Sequence, residues 1–131
     1  MIRLIMNILE SDEKLKTLLN ATVSDNRIRA SQGDDFRTQI VYRNTPIASQ
    51  DFIEQNRLTL SIIDDNDALI EAIDRRIKEL LLVYENIWFQ DDEVYITAID
   101  YQDGNQEEWV TEGGPKLLKR DINLRIVWRY K

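Results

Sequence analysis

The residues able to do chemistry in this chain are carboxylates. They stand in three clusters: "DDND" (Asp64–Asp67), "QDDEV" (Gln90–Val94) and "DYQDGNQEE" (Asp100–Glu108). Such clusters suit Mg²⁺ or Ca²⁺ ligation, or the paired acids of a hydrolase. Nothing else is at hand, because the chain has no cysteine and no histidine. That removes disulfides, zinc clusters, thiol nucleophiles and imidazole acid–base couples. The spacing within the clusters is unhelpful to a metal. "DYQDGNQEE" lacks the alternating ligands and closing Glu of an EF-hand. "QDDEV" reads as a turn at the entry to a strand. "EGGPK" (Glu112–Lys116) has neither G-K-[ST] nor a helix after it, so it is no phosphate loop. No spacing supports a nuclease, in which carboxylates and a lysine converge on one phosphate. Catalytic, cofactor-binding and metal residues are therefore all read as none.

The elements around "DDND" explain it. In "RLTLSII" (Arg57–Ile63), Leu58, Leu60 and Ile62 alternate with Arg57, Thr59 and Ser61, the pattern of a half-buried strand. Beyond the cluster, Ile70, Ile73, Ile77, Leu80, Leu81 and Tyr84 share one side of a helix. Glu71, Arg75, Lys78 and Glu79 lie opposite, with Glu71–Arg75 and Asp74–Lys78 as acid-first pairs. Asp64, Asp65 or Asn66 is placed to accept the helix's free N–H groups, so capping accounts for the cluster without catalysis. Leu82 and Val83 project toward the outer side of this helix and need a cover, from another segment or another subunit.

The same reading extends along the chain. Ile2, Ile5, Met6 and Leu9 form a helical stripe, Ser11 is the expected N-cap of a restart, and Leu15, Leu18 and Leu19 carry the face on to Asn20. A short strand is expected around Arg27–Ala30. "FRTQIVYRN" (Phe36–Asn44) alternates, with Thr45-Pro46 as its stop; residues 47–56 are a loop or a continuing hairpin arm. Val94, Ile96 and Ala98 define one face of a strand over Glu93–Gln102. Ile122, Leu124, Ile126, Trp128 and Tyr130 define one face of the last, over Ile122–Lys131, with Arg125 and Arg129 on the other. Asp103–Arg120 reads as a long loop. The order favours an α+β fold: a mainly antiparallel sheet of about four strands with two helices packed on one face.

Composition fits one domain over residues 1–131, with 43% hydrophobic residues and a net charge of -7. No run approaches the roughly 20 apolar residues of a membrane span. "MIRLIMNILE" is too short and too interrupted for a signal sequence. The chain reads as an intracellular soluble protein with no export route of its own. Charge is segregated. Asp91, Asp92, Glu93, Asp100, Asp103, Glu107, Glu108 and Glu112 precede Lys116, Lys119, Arg120, Arg125, Arg129 and Lys131. The two blocks either pair across one hairpin or make a head-to-tail interface between subunits, and the two are compatible. Trp109, in the 103–120 segment, folds back or anchors a partner. Glu107, Glu108, Trp109, Glu112, Lys116, Lys119, Arg120, Arg125 and Arg129, with Leu82 and Val83, are the candidate interface.

Taken together, "ILESDEKLKTLL", "TQIVYRNTP", "RLTLSIID", "ALIEAIDRRIKELL" and the closing "INLRIVWRYK" follow an order that resembles the tail-terminator (tail-completion, minor tail) proteins of long-tailed bacteriophages. The resemblance implies a virion structural protein that is not an enzyme and takes no cofactor. It implies a ring, a hexamer in that family, that caps the tail tube, stops its growth and offers a surface to the head-completion or connector protein. DNA passing through an acidic lumen would not be gripped. Such a protein is assembled in the bacterial cytoplasm and resides in the neck of the virion. Another head–tail connector component, a stopper among them, is the near rival. A small Mg²⁺-using carboxylate enzyme and a generic adaptor module are the rivals from other classes.

Overall fold

A computed structural model describes residues 1–31, 38–82, 89–110 and 116–131. In chain order the elements are α1 (Ile2–Glu10), α2 (Glu13–Leu19), β1 (Ile28–Arg29), β2 (Gln39–Gln50), β3 (Ile53–Asp64), α3 (Asp67–Leu81), β4 (Val94–Val110) and β5 (Lys116–Tyr130). The strands form a single mixed sheet in the order β1-β2-β3-β5-β4. The fold is α+β, as expected, but among the described residues it has five strands and three helices. The extra strand, β1, runs parallel to β2 through only two residue pairs, too short a run for period-2 alternation to announce.

One face of the sheet carries the core. Leu58 and Leu60 of β3 stand opposite Leu124 and Ile122 of β5, with Ile62 and Ile126 at either end of the same face, all fully buried. The buried faces of α1 (Ile5, Leu9), α2 (Leu15, Leu19) and α3 (Ile70, Ile73, Ile77, Leu81) close over them. Fully burying each such side chain contributes about 1.5–3 kcal/mol.

The helix ends follow capping chemistry. The Asn66 side chain accepts from the backbone N–H groups of Ala68 and Leu69 at 3.0 and 3.3 Å, making it the cap of α3. The expected cap at Ser11 is corrected. Asp12 caps α2 through the Leu15 N–H at 2.9 Å, while the Ser11 hydroxyl donates back to the Asn7 carbonyl and closes α1. Asp12 also receives Arg76 of α3, at 2.5 and 2.8 Å, so one carboxylate caps a helix and joins two.

Two further expectations change. Pro46 does not stop its strand; β2 continues to Gln50 past a bulge between Pro46 and Ala48. Beyond Val41 the far side of β2 has no strand neighbour among the described residues, and a proline is tolerated on such an edge because no ladder bond needs its N–H. The supposed 103–120 loop is also largely strand. β4 and β5 pair from Val94↔Tyr130 to Val110↔Lys116. Two long hairpins result. Antiparallel pairing puts the β2–β3 tip at the end of the sheet near Trp128 and the β4–β5 tip at the end near Asp64.

Candidate interaction surface

The carboxylate clusters resolve into structural roles. Asp64 is buried; its oxygens accept the Thr38 hydroxyl at 2.7 Å and the Asn66 N–H at 2.9 Å, tying the start of β2 to the β3–α3 joint. Asp91 accepts the backbone N–H groups of Glu93 and Val94, both at 2.8 Å. Those bonds, Glu93 first, hold its carboxyl below the usual carboxylate range. The acids of "DYQDGNQEE" are spread along β4, where each finds its own cross-strand partner. Among the described residues no three carboxylates are gathered as a metal-binding group, and no helix is long and apolar enough to cross a membrane.

The sheet face away from the helices is a polar ladder. The Thr59 hydroxyl donates to Asn123 Oδ1 at 2.7 Å, and Asn123 Nδ2 donates to Asp103 at 2.6 Å. The Ser61 hydroxyl donates to Asp121 at 2.6 Å. Arg125 reaches Asp100 at 2.8 Å, and Arg129 lies over the Tyr95 ring, 5.4 Å from its centroid. The acidic and basic blocks thus meet across the β4–β5 hairpin within one chain. Lys116 pairs with Glu108, Lys119 stands opposite Glu107, and Lys119 Nζ sits 5.6 Å from the centre of the Trp109 ring. Trp109 is half-buried opposite Leu117.

Arg120 turns to the helix side. It donates to Asp74 at 3.2 Å, to Asp67 at 3.4 Å and to Gln106 at 2.8 Å. Lys78 bonds Asp74 at 3.0 Å and caps the Tyr101 ring at 4.6 Å. Gly104 makes room for this: a Cβ there would stand 2.7 Å from both the Tyr101 hydroxyl oxygen and the Asp121 carbonyl oxygen. The β4–β5 hairpin is therefore clasped to α3 by a charged cluster, with a shallow polar hollow between them.

The candidate interface residues are not all brought together. Glu107, Glu108, Trp109, Lys116 and Lys119 share the hairpin tip, Arg125 and Arg129 lie further along β5, and Arg120 faces α3. Leu82 ends α3 and packs against the core. Val83 and Glu112 lie outside the described residues.

The other hairpin was not singled out from sequence, and its chemistry is different. At its root, the buried Asn56 links Asn44 at 2.9 Å and the Trp128 indole N–H at 2.7 Å. Outward from that point Ile47, Phe52 and Ile53 are 52%, 91% and 46% exposed. Asp51 and Phe52 form the turn with φ of 52° and 68°. Left-handed backbone suits glycine or asparagine and strains a residue as bulky as phenylalanine.

No protein-family model matches this chain, and no curated protein matches it in sequence. Solved structures do match. One is a chain of a structure described as the virion of a native gene transfer agent (GTA) particle, with a TM-score of 0.66 at 10% identity over 95% of this chain and 91% of that one. At that identity the likeness establishes a shared fold, over nearly the whole of both chains.

Proposed function

We propose that this chain is a structural component of a phage-type virion, and within that class a tail terminator: copies close into a ring that caps the tail tube, stops its growth and receives the head connector. One observation carries the reading, the near-complete fold correspondence with a chain of the gene transfer agent virion. The carboxylate clusters fit it, since the described ones hold backbone amides, hydroxyls and arginines in place. A hexameric ring lumen walled by such acidic subunits would let DNA through without holding it, because phosphate binding requires neutralising basic side chains.

In this reading the basic residues Arg125 and Arg129 and the acids of β4 orient incoming copies. Exposed charges set encounter rate and register more than affinity. Affinity then comes from apolar contacts elsewhere. The test is depletion of the protein from cells producing the particle, followed by measurement of tail lengths. Tails of unregulated length lacking heads are expected. Normal tails with the protein found on the head vertex would replace the terminator with a head-completion role, and intact particles would end the virion reading.

A further inference from the structure

Among the described residues the exposed large hydrophobics are few: Val23, Ile47, Phe52, Ile53, Tyr101, Val110 and Tyr130. Some are explained within the chain. Tyr101 lies under Lys78, and Tyr130 packs edge-on against Trp128 at 4.9 Å. Val110 is the last described residue of β4, and its surroundings lie partly outside the described residues. Two places are left, the β2–β3 tip and the fully exposed Val23. Val23 stands at a groove of about 460 Å³, walled by Leu9, Glu10, Lys16, Ala21 and Ile28.

We propose that the β2–β3 arm of one copy inserts Phe52 into the groove beside Val23 of the next copy. The proposal rests on the reading that copies of this chain assemble, and names the contact that joins them.

Three observations favour a second copy as the occupant. First, no described residue covers either knob or hollow, and the two belong to different elements, the requirement for a head-to-tail contact that repeats and closes. Second, the charges match. The chain carries a net -7, yet the arm from Arg43 to Arg57 holds two acids (Asp51, Glu54) and two bases (Arg43, Arg57), and the groove holds one of each, Glu10 and Lys16. Neither surface carries a net charge, so the two meet without mutual repulsion. Third, the tip is strained where it is most exposed. A phenylalanine with φ of 68° and 91% exposure gains nothing for its own monomer, whereas an aromatic anchor seated in a pocket dominates interface energetics. Asn26 donates to Glu10 at 2.9 Å, tying two of the residues that line the groove.

The cysteine-free sequence gives a clean test. Asp51→Cys and Val23→Cys proteins, both keeping Phe52, are purified separately, mixed, and oxidised; any disulfide between them is intermolecular. The expected result is a mixed dimer that forms at least about tenfold faster than Asp51→Cys with an Asp65→Cys control, through the raised local concentration of a specific contact. A rate no greater than the control, or faster Asp51→Cys self-pairing, overturns the proposal. In parallel, Phe52→Ser should melt at or above the wild-type temperature while losing the oligomer that native mass spectrometry is expected to detect for the wild type. Assembly of Phe52→Ser equal to wild type also overturns the proposal, and leaves the ring reading standing. Absence of any ring on tails counts against the ring reading instead, with the cross-linking rate still deciding the contact.

Discussion

The two hairpins of this protein are built alike and finished differently. In β4–β5 the charged and aromatic side chains are answered, across the hairpin by Lys116 with Glu108 and Arg125 with Asp100, and from α3 by Asp74 with Arg120 and Lys78 over Tyr101. In β2–β3 the tip leaves Ile47, Phe52 and Ile53 in solvent on a strained turn. Charge density therefore marks a hairpin that is largely satisfied within its own chain. Apolar exposure marks the one with binding energy still to realise. Surface ion pairs are worth about 0–1 kcal/mol each, whereas burying one phenylalanine side chain is worth about 1.5–3 kcal/mol.

Perturbing what the hairpins share should have the largest effect. Leu124 is fully buried and lies between Leu58 of one hairpin and Tyr101 of the other. Leu124→Ala should cost about 2–5 kcal/mol in urea unfolding and loosen both hairpins together. If only one hairpin lost hydrogen-exchange protection, the single core joining them would be disproved.

Next comes the clasp. Arg120 is partly buried against Asp74, so Arg120→Ala should cost about 1–2 kcal/mol, between the values for exposed and buried pairs. Exchange should quicken in β4–β5 and stay unchanged at the β2–β3 tip. Equal quickening at both tips would erase the distinction drawn between them.

Reversing Arg125 and Arg129 to Glu should change monomer stability by no more than about 1 kcal/mol, since the Arg125–Asp100 pair is exposed. Association, followed by light scattering, should slow, and added salt should reduce the difference from wild type. An unfolded monomer, or association at the wild-type rate, would remove these charges from the interface.

The smallest effect lies away from both hairpins. The Arg76 hydrogen bond, with lesser help from the Leu15 N–H, holds the Asp12 carboxyl below its ordinary value. A depressed folded pKa adds stability that is fully present above the ordinary value of about 3.9 and is lost as pH falls through the lowered one. Arg76→Ala should remove that contribution, leaving the stability difference from wild type constant near neutral pH and shrinking below about pH 4. A difference that ignores pH would show that the pair does not stabilise the fold through charge.

The difference between the hairpins also explains what the sequence made legible. α3 was readable because its apolar residues repeat at 3.6 and an Asn stands where its N–H groups need an acceptor. β3 and the outer part of β5 were readable because apolar and polar residues alternate along each, although β3 is not half-buried as expected: Thr59, Ser61 and Ile63 on its second side are buried too. β4 beyond Ile99 was not, because every residue from Asp100 to Glu108 is exposed; alternation vanishes, and "DGNQEE" looks like a loop. Pro46 misled because a stop in a central strand is harmless on an edge. The Asp12–Arg76 tie joins residues 64 apart, which no local pattern records. Phe52 was passed over because an aromatic in a sequence reads as core, and only its position on a protruding turn makes it an anchor. The charge blocks were visible at once, and the structure pairs Lys116 with Glu108 and Arg125 with Asp100 across one hairpin while Arg120 turns to α3, an arrangement compatible with the interface reading as well.

The central claim is that this chain works by fitting against copies of itself at the end of a tail. Cryo-electron microscopy of the purified protein added to tail tubes tests it most directly. The account predicts a closed ring at one tube end, with the β2–β3 arm of each subunit lying on its neighbour. Tubes coated along their length, or bare tubes beside dispersed monomers, would contradict it.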